Sequence, residues 1–212
     1  MKMELNRLVA SAAKQALSPV GCKQIGRSRL WIADQRFWAI VIEFQASGFS
    51  KGSYLNVGAC WLWHAKDYWS FDYGGRVEGV TRFQNPQQFA AVAEKFAMRA
   101  AEEVHALRKR FASLLDIARE ISPPDGKHGL PVYHAAVAAG LIGDVAESKR
   151  LFKCLTREPT TNDWHRKLQT DGNDLAQLLS EGPSFQAAIL KIIQQSRSLH
   201  RLPPDPTCLG AT

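Results

Sequence analysis

Four polar side chains in the first third of this 212-residue chain carry the chemistry of recognition: a carboxylate at Glu43, amides at Gln45 and Asn56, and a phenol at Tyr54. Each pair is spaced two residues apart in a stretch of alternating character, so each pair points to one side of a strand. Together they accept and donate hydrogen bonds. They contain no nucleophile set beside a base, which bond-breaking by covalent catalysis requires. The same four residues also fit the ordinary solvent face of an antiparallel sheet.

Other reactive constellations are weak or missing. Asp34 followed by Ile42-Glu43-Phe44-Gln45 resembles a metal-dependent nuclease core, in which two carboxylates share a hard cation. Asp34 falls at a hairpin turn and Glu43 well along the next strand, which places them ~20 Å apart. No lysine stands at position 45. A degenerate nuclease is therefore the least favoured of three readings. His64, His105, His128, His134, His165 and His200 show no i, i+4 zinc spacing and no His-Glu-x-x-His. Cys22, Cys60, Cys154 and Cys208 are too widely spaced for a zinc knuckle or a redox pair and read as free, partly buried thiols in a reducing cytosol. Gly48-Phe49-Ser50-Lys51-Gly52 has the wrong order for a nucleophile elbow, and no phosphate-cradling Gly-x-x-x-x-Gly-Lys loop occurs. No metal ligands, cofactor or catalytic residues are expected.

The charge points elsewhere. Lys and Arg number 27 against 20 Asp and Glu, a net +7. Residues 1–36 hold seven basic side chains (Lys2, Arg7, Lys14, Lys23, Arg27, Arg29, Arg36) against Glu4 and Asp34, a local +5. Lys23, Arg27, Arg29 and Arg36 are the candidates for a nucleic-acid surface. A solvated basic surface is the plainer account. Five of the six tryptophans lie between positions 31 and 69, where they either stack on bases or fill a small core.

The elements that must position these residues follow from periodicity. Leu5, Leu8, Val9, Ala12, Ala13 and Ala16 form a helical stripe that ends at Ser18-Pro19-Val20-Gly21. Arg29–Asp34, Phe37–Gln45 and Ser53–Trp63 read as strands, and Tyr68–Phe83 as a glycine-broken meander, a sheet of four to six strands in all. Asn85-Pro86 opens a long helix whose apolar stripe runs from Phe89 to Ile121, with a break near Ala112-Ser113. Pro123-Pro124-Asp125-Gly126 marks a boundary. Beyond it, Leu130–Ile142 and the helix capped at Asp144 form an antiparallel hairpin. A helix after Pro159 is broken at Asp171-Gly172-Asn173, and a last one starts at Gly182-Pro183. No apolar run approaches the ~18 residues of a membrane span, and no secretory signal is expected behind Met1.

Pairing Phe37–Gln45 with Tyr54–Trp63 so that position numbers sum to 99 sets Trp38, Ile40, Ile42 and Phe44 opposite Trp61, Ala59, Val57 and Leu55. All eight are apolar and share one face, so this register is favoured. The reverse face then sets Glu43 opposite Asn56 and Gln45 opposite Tyr54, with Gly58 beside them. Further along it, Phe37, Ala39, Val41, Cys60 and Leu62 are too apolar to stand bare, and a helix, a partner or another subunit is expected there.

Gly21-x-Lys23-x-x-Gly26-Arg27, Glu43-x-Gln45-x-Ser47 and Tyr54-x-Asn56-x-Gly58 resemble the motifs of an uncharacterised bacterial domain-of-unknown-function family, over roughly residues 3–120. The resemblance implies a helix, an antiparallel sheet and a closing helix. It implies no established activity; members of such families are sometimes associated with toxin–immunity loci, which points to protein binding.

The expected architecture is α+β: an N-terminal helix, an antiparallel sheet covered by a long helix, then an all-helical C-terminal appendage. The expected divisions are a sheet domain at 1–122, a helical subdomain at 128–200 and a loose tail at 201–212. The expected function is a non-enzymatic cytoplasmic protein-binding module, of the immunity type, acting through Glu43, Gln45, Tyr54 and Asn56. Nucleic-acid binding through Lys23, Arg27, Arg29 and Arg36 is the alternative.

Overall fold

The computed structural model describes residues 2–48, 51–121 and 128–210. Helix α1 (Lys2–Leu17) leads into five strands, β1 (Lys23–Gln24), β2 (Leu30–Asp34), β3 (Trp38–Glu43), β4 (Gly52–Trp61) and β5 (Tyr73–Arg82). Helices α2 (Pro86–Arg110), α3 (Leu114–Glu120), α4 (Leu130–Leu141), α5 (Val145–Arg157), α6 (Asp163–Leu178) and α7 (Gly182–Leu199) follow. The fold is α+β, an antiparallel meander β1-β2-β3-β4-β5 behind an N-terminal helix and covered by the long helix α2. The chain divides into two compact units, one of Met1–Cys60 with Trp69–Lys109, the other of Trp61–Tyr68 with Arg110–Thr212. The stretch 123–126, expected as a boundary, lies outside the described residues.

In the first unit the meander follows from short turns. Asp34 Oδ1 accepts the Arg36 N–H at 2.9 Å, an Asx-type turn that holds Arg36 at a left-handed φ of 73° between β2 and β3. The Ala46–Ser53 bridge and the 2.8 Å bond from Tyr54 N–H to the Gln45 carbonyl set β3 and β4 in the expected register. On β2–β3, Trp31 faces Ile42 and Ala33 faces Ile40. One sheet face therefore presents Trp31, Ala33, Trp38, Ile40, Ile42, Phe44, Leu55 and Val57, none more than 3% exposed. Burying a large apolar side chain stabilises by roughly 1.5–3 kcal/mol, so this face is the unit's energetic centre. The buried stripes of α1 (Leu5, Val9, Ala13, Leu17) and α2 (Phe89, Ala93, Phe96, Ala100, Val104, Leu107) complete that core.

Helix α2 starts as its sequence requires: Asn85 Oδ1 caps the Gln88 N–H at 2.8 Å, Gln88 Oε1 reaches back to the Gln84 N–H, and Pro86 occupies the first turn. Near its end, Arg108 donates to the Val20 carbonyl at 2.9 Å and to Gln35 Oε1 at 3.3 Å, which ties α2 to the turn after α1 and to the β2–β3 turn. Arg110 ends the helix and Ser113 caps α3, so the break falls where the pattern placed it.

In the second unit α4 is buried from Val132 to Ala139, as expected of a helix apolar on every side. It packs against α3, α5, α6 and α7. Asp144 caps α5 by accepting the Glu147 N–H at 3.1 Å. Two expectations are corrected here. Asp171-Gly172-Asn173 does not break α6, which runs unbroken from Asp163 to Leu178. Gly172 is buried where a Cβ would meet Leu155 Cδ2 at 3.0 Å, so its role is a close approach of α5. The segment after α7 is not loose as far as Gly210. Gln194 brackets Asp205, donating to its carbonyl at 2.7 Å and accepting its N–H at 3.1 Å, and Cys208 is buried.

Candidate functional site

The reverse face of the first unit's sheet holds both the expected apolar end and the expected polar end. At the apolar end Ile32, Ala39, Val41 and Cys60 cluster under Leu30, Trp69 and Phe71. The cover is the chain's own stretch 69–72 just before β5, anchored where the Asp72 N–H meets the Ala59 carbonyl at 2.8 Å. It is supplied within the unit, by neither a helix nor a second molecule. Gly58 marks its edge: a Cβ there would lie 2.1 Å from the Tyr73 carbonyl oxygen, so the crossing tolerates only glycine.

Beyond that edge the four expected residues come together. Asn56, 7% exposed, donates from Nδ2 to Glu43 Oε2 at 3.0 Å and to Gln45 Oε1 at 3.1 Å. Two acceptors on one nitrogen fix the orientation of the amide, because the flipped form would set its carbonyl against a carboxylate. The fifth member, missed in the sequence, is Arg76 on β5. Its Nε donates to Asn56 Oδ1 and its Nη2 to Gln45 Oε1, both at 3.0 Å. Its guanidinium carbon lies 3.9 Å from the centroid of the Tyr54 ring, a cation–π contact that adds ~0.5–1 kcal/mol at an exposed site. Arg76 itself is exposed.

Arg76 arrives by irregular pairing. Gly52 faces Arg82 and Ser53 faces Thr81, but two register shifts follow, and Asn56 then faces Arg76. Without those shifts Glu78 would stand opposite Asn56. Glu78 instead makes an ion pair with Lys95 of α2 at 3.7 Å. The only sequence signal for Arg76 is its place beyond Gly74-Gly75 in the meander, which does not specify a partner.

The basic alternative does not gather. Arg29 spends its guanidinium inside the unit, on Asn6 Oδ1 at 2.9 Å from Nε and on the Phe44 carbonyl at 3.3 Å. Burial holds its pKa below the usual arginine range. Arg27 lies in the β1–β2 turn and Arg36 in the β2–β3 turn, at opposite ends of five-residue β2, hence ~13 Å or more apart. Lys23, on edge strand β1, faces Ile32.

The nuclease reading is not assembled either. Asp34 pairs with Ala39 and Glu43 with Leu30, so the two carboxylates stand four rungs apart, ~13 Å, too far to share one cation. Among the described residues no three His, Cys, Asp or Glu side chains form a metal-holding group. In the second unit, His165 Nε2 lies 3.0 Å from Glu158, whose two oxygens also take the Gly129 N–H at the start of α4. Four tryptophans, Trp31, Trp38, Trp61 and Trp63, are at most 3% exposed and serve the core. In the second unit Trp63 stacks on Trp61 at 5.1 Å and donates to His134 Nδ1 at 3.1 Å. Comparison with protein-family models, with curated proteins and with solved structures finds no match for the chain.

Proposed function

We propose that the first unit is a non-enzymatic protein-binding module that docks a partner protein on the open end of its reverse sheet face. The observation that carries this reading is Arg76: an exposed guanidinium held by Asn56, Gln45 and the Tyr54 ring. Ordering a long charged side chain costs conformational entropy, and here that cost is met before any partner arrives, which favours tight docking. The five side chains are suited to hydrogen-bonding and stacking, and none is a nucleophile set beside a base. The Glu43–Ser47 and Tyr54–Gly58 motifs resemble those of an uncharacterised bacterial family of a kind sometimes associated with toxin–immunity loci, which supports the reading of this cytoplasmic module as an immunity-type partner of a bacterial toxin.

The test is site-directed photo-crosslinking in the native cell. p-Benzoylphenylalanine replaces Tyr54, which keeps an aromatic ring at that position, and replaces the exposed Ser11 of α1 as a control. The expected result is an adduct with one identifiable protein from position 54 alone. That protein, purified and titrated back by calorimetry, is expected to bind one-to-one. No adduct, or the same adducts from both positions, would remove the proposal.

A further inference from the structure

We propose that the group this face captures is a carboxylate on an acidic segment of the partner, clamped between the Arg76 guanidinium and the Gln45 side-chain amide. This rests on the docking role above and adds the chemistry of what docks.

Asn56 has both N–H donors and its oxygen engaged. Gln45 Oε1 accepts twice, from Asn56 and from Arg76, which turns the Gln45 Nε2 group, with its two donors, away from the network. Arg76 spends one hydrogen of Nε and one of Nη2, so Nη1 and the second Nη2 hydrogen are left, while the Tyr54 ring covers a flat side of the guanidinium. Among the described residues neither Nη1 of Arg76 nor Nε2 of Gln45 has a partner. The open groups are therefore neighbouring N–H donors around a fixed positive charge, the complement of a carboxylate.

Charge agrees. Among the described residues no carboxylate forms an ion pair with Arg76. Glu43 takes the Asn56 amide, and Glu78 is on Lys95. Arg82, exposed and opposite Gly52, lies on the same face by register. The first unit holds 14 basic and 8 acidic residues, so six of the chain's seven surplus positive charges reside in it. Such a field accelerates the approach of an acidic protein and disfavours a basic one. A nucleic acid fits less well. Its phosphates call for a row of cations, whereas the network holds one clamped guanidinium with the Glu43 carboxylate two hydrogen bonds away. Glu43 also presents Oε1 as an acceptor for a partner's N–H, which a phosphate backbone does not supply.

The experiment is a heteronuclear NMR titration of the full chain with three probes: acetyl-tetraglutamate amide, acetyl-tetraglutamine amide and oligothymidylate. The glutamate peptide is expected to give saturable shifts confined to residues 43–47, 54–58 and 74–78, and the glutamine peptide none. Arg76→Gln is expected to weaken the glutamate peptide at least about tenfold with the remaining spectrum superimposable, and Arg76→Lys to weaken it less. Shifts scattered over the surface, indifference to Arg76→Gln, or tighter binding of oligothymidylate at the same residues would overturn the inference. A position-54 crosslink to a defined protein, together with a silent glutamate peptide, would leave the docking role standing and remove the carboxylate.

Discussion

Asn56 is the residue on which the polar network turns. It is the one buried member, and it touches three of the other four. Asn56→Leu keeps the volume and removes every one of those bonds. The half-exposed Glu43 and Gln45 then turn to water, so the expected loss is about 1–2 kcal/mol, read from urea denaturation. The Arg76 side chain would lose its order, which a rise in its guanidinium mobility by NMR would report. The four cysteines differ in exposure and so in reactivity. Cys154 is exposed, and Cys22, Cys60 and Cys208 are buried. Burial pushes the Cys22 thiol up to about 11, against the lowering influence of the Arg108 guanidinium. Ellman's reagent at pH 8 is therefore expected to titrate one thiol in the folded chain and four in denaturant. Rapid native labelling of Cys22 would contradict the packing of the turn after α1.

Two glycines separate close approaches that can yield from one that cannot. A Cβ on Gly58 would meet the Tyr73 carbonyl oxygen at 2.1 Å, a backbone atom held by the β4–β5 ladder. Gly58→Ala must push β5 away from β4, and a loss of about 2–3 kcal/mol is expected, with Arg76 displaced from Tyr54. A Cβ on Gly172 would meet side-chain atoms instead, Leu155 Cδ2 at 3.0 Å and Phe152 Cδ1 at 3.2 Å. These neighbours give by a few tenths of an ångström, and alanine favours a helix interior by ~1 kcal/mol over glycine. Gly172→Ala is expected to change stability by less than about 1 kcal/mol. Thermal unfolding of the two variants side by side checks the contrast, and equal losses would refute it. The β5 bulges matter in the same way: two single-residue shifts place a cation, in place of Glu78, against Asn56.

Charge and the response to pH divide between the units. The surplus of positive charge lies in the first, while the second holds 13 basic and 12 acidic residues. The second unit carries the clearest titration. Burial first, then the Lys66 ammonium, holds the His200 pKa below the usual histidine range, with Asp67 opposing. Because the unfolded chain binds this proton more readily, His200 contributes stability above the unfolded histidine pKa of ~6.5. That contribution fades as pH falls through the lower, folded value. The melting temperature of the second unit is expected to drop between pH 7.5 and 5.5, and His200→Gln is expected to flatten the drop. Parallel curves for the two proteins would rule the assignment out.

Periodicity alone determined the α+β order of elements, the caps of α2 and α5, the break before Leu114 and the β3–β4 register, because each depends on side-chain spacing along one or two neighbouring segments. The same register exposed Glu43, Gln45, Tyr54 and Asn56 as one polar row. Tertiary structure alone decided that Arg76 completes the row, that Trp69 and Phe71 cover its apolar neighbour, that α6 continues through Gly172, and that Asp205, beyond α7, is pinned by Gln194. Each of these depends on a bulge, a close backbone approach or a contact with a distant segment. None of them leaves a repeating mark in the order of residues, because the energy that selects them arises only when the surfaces meet.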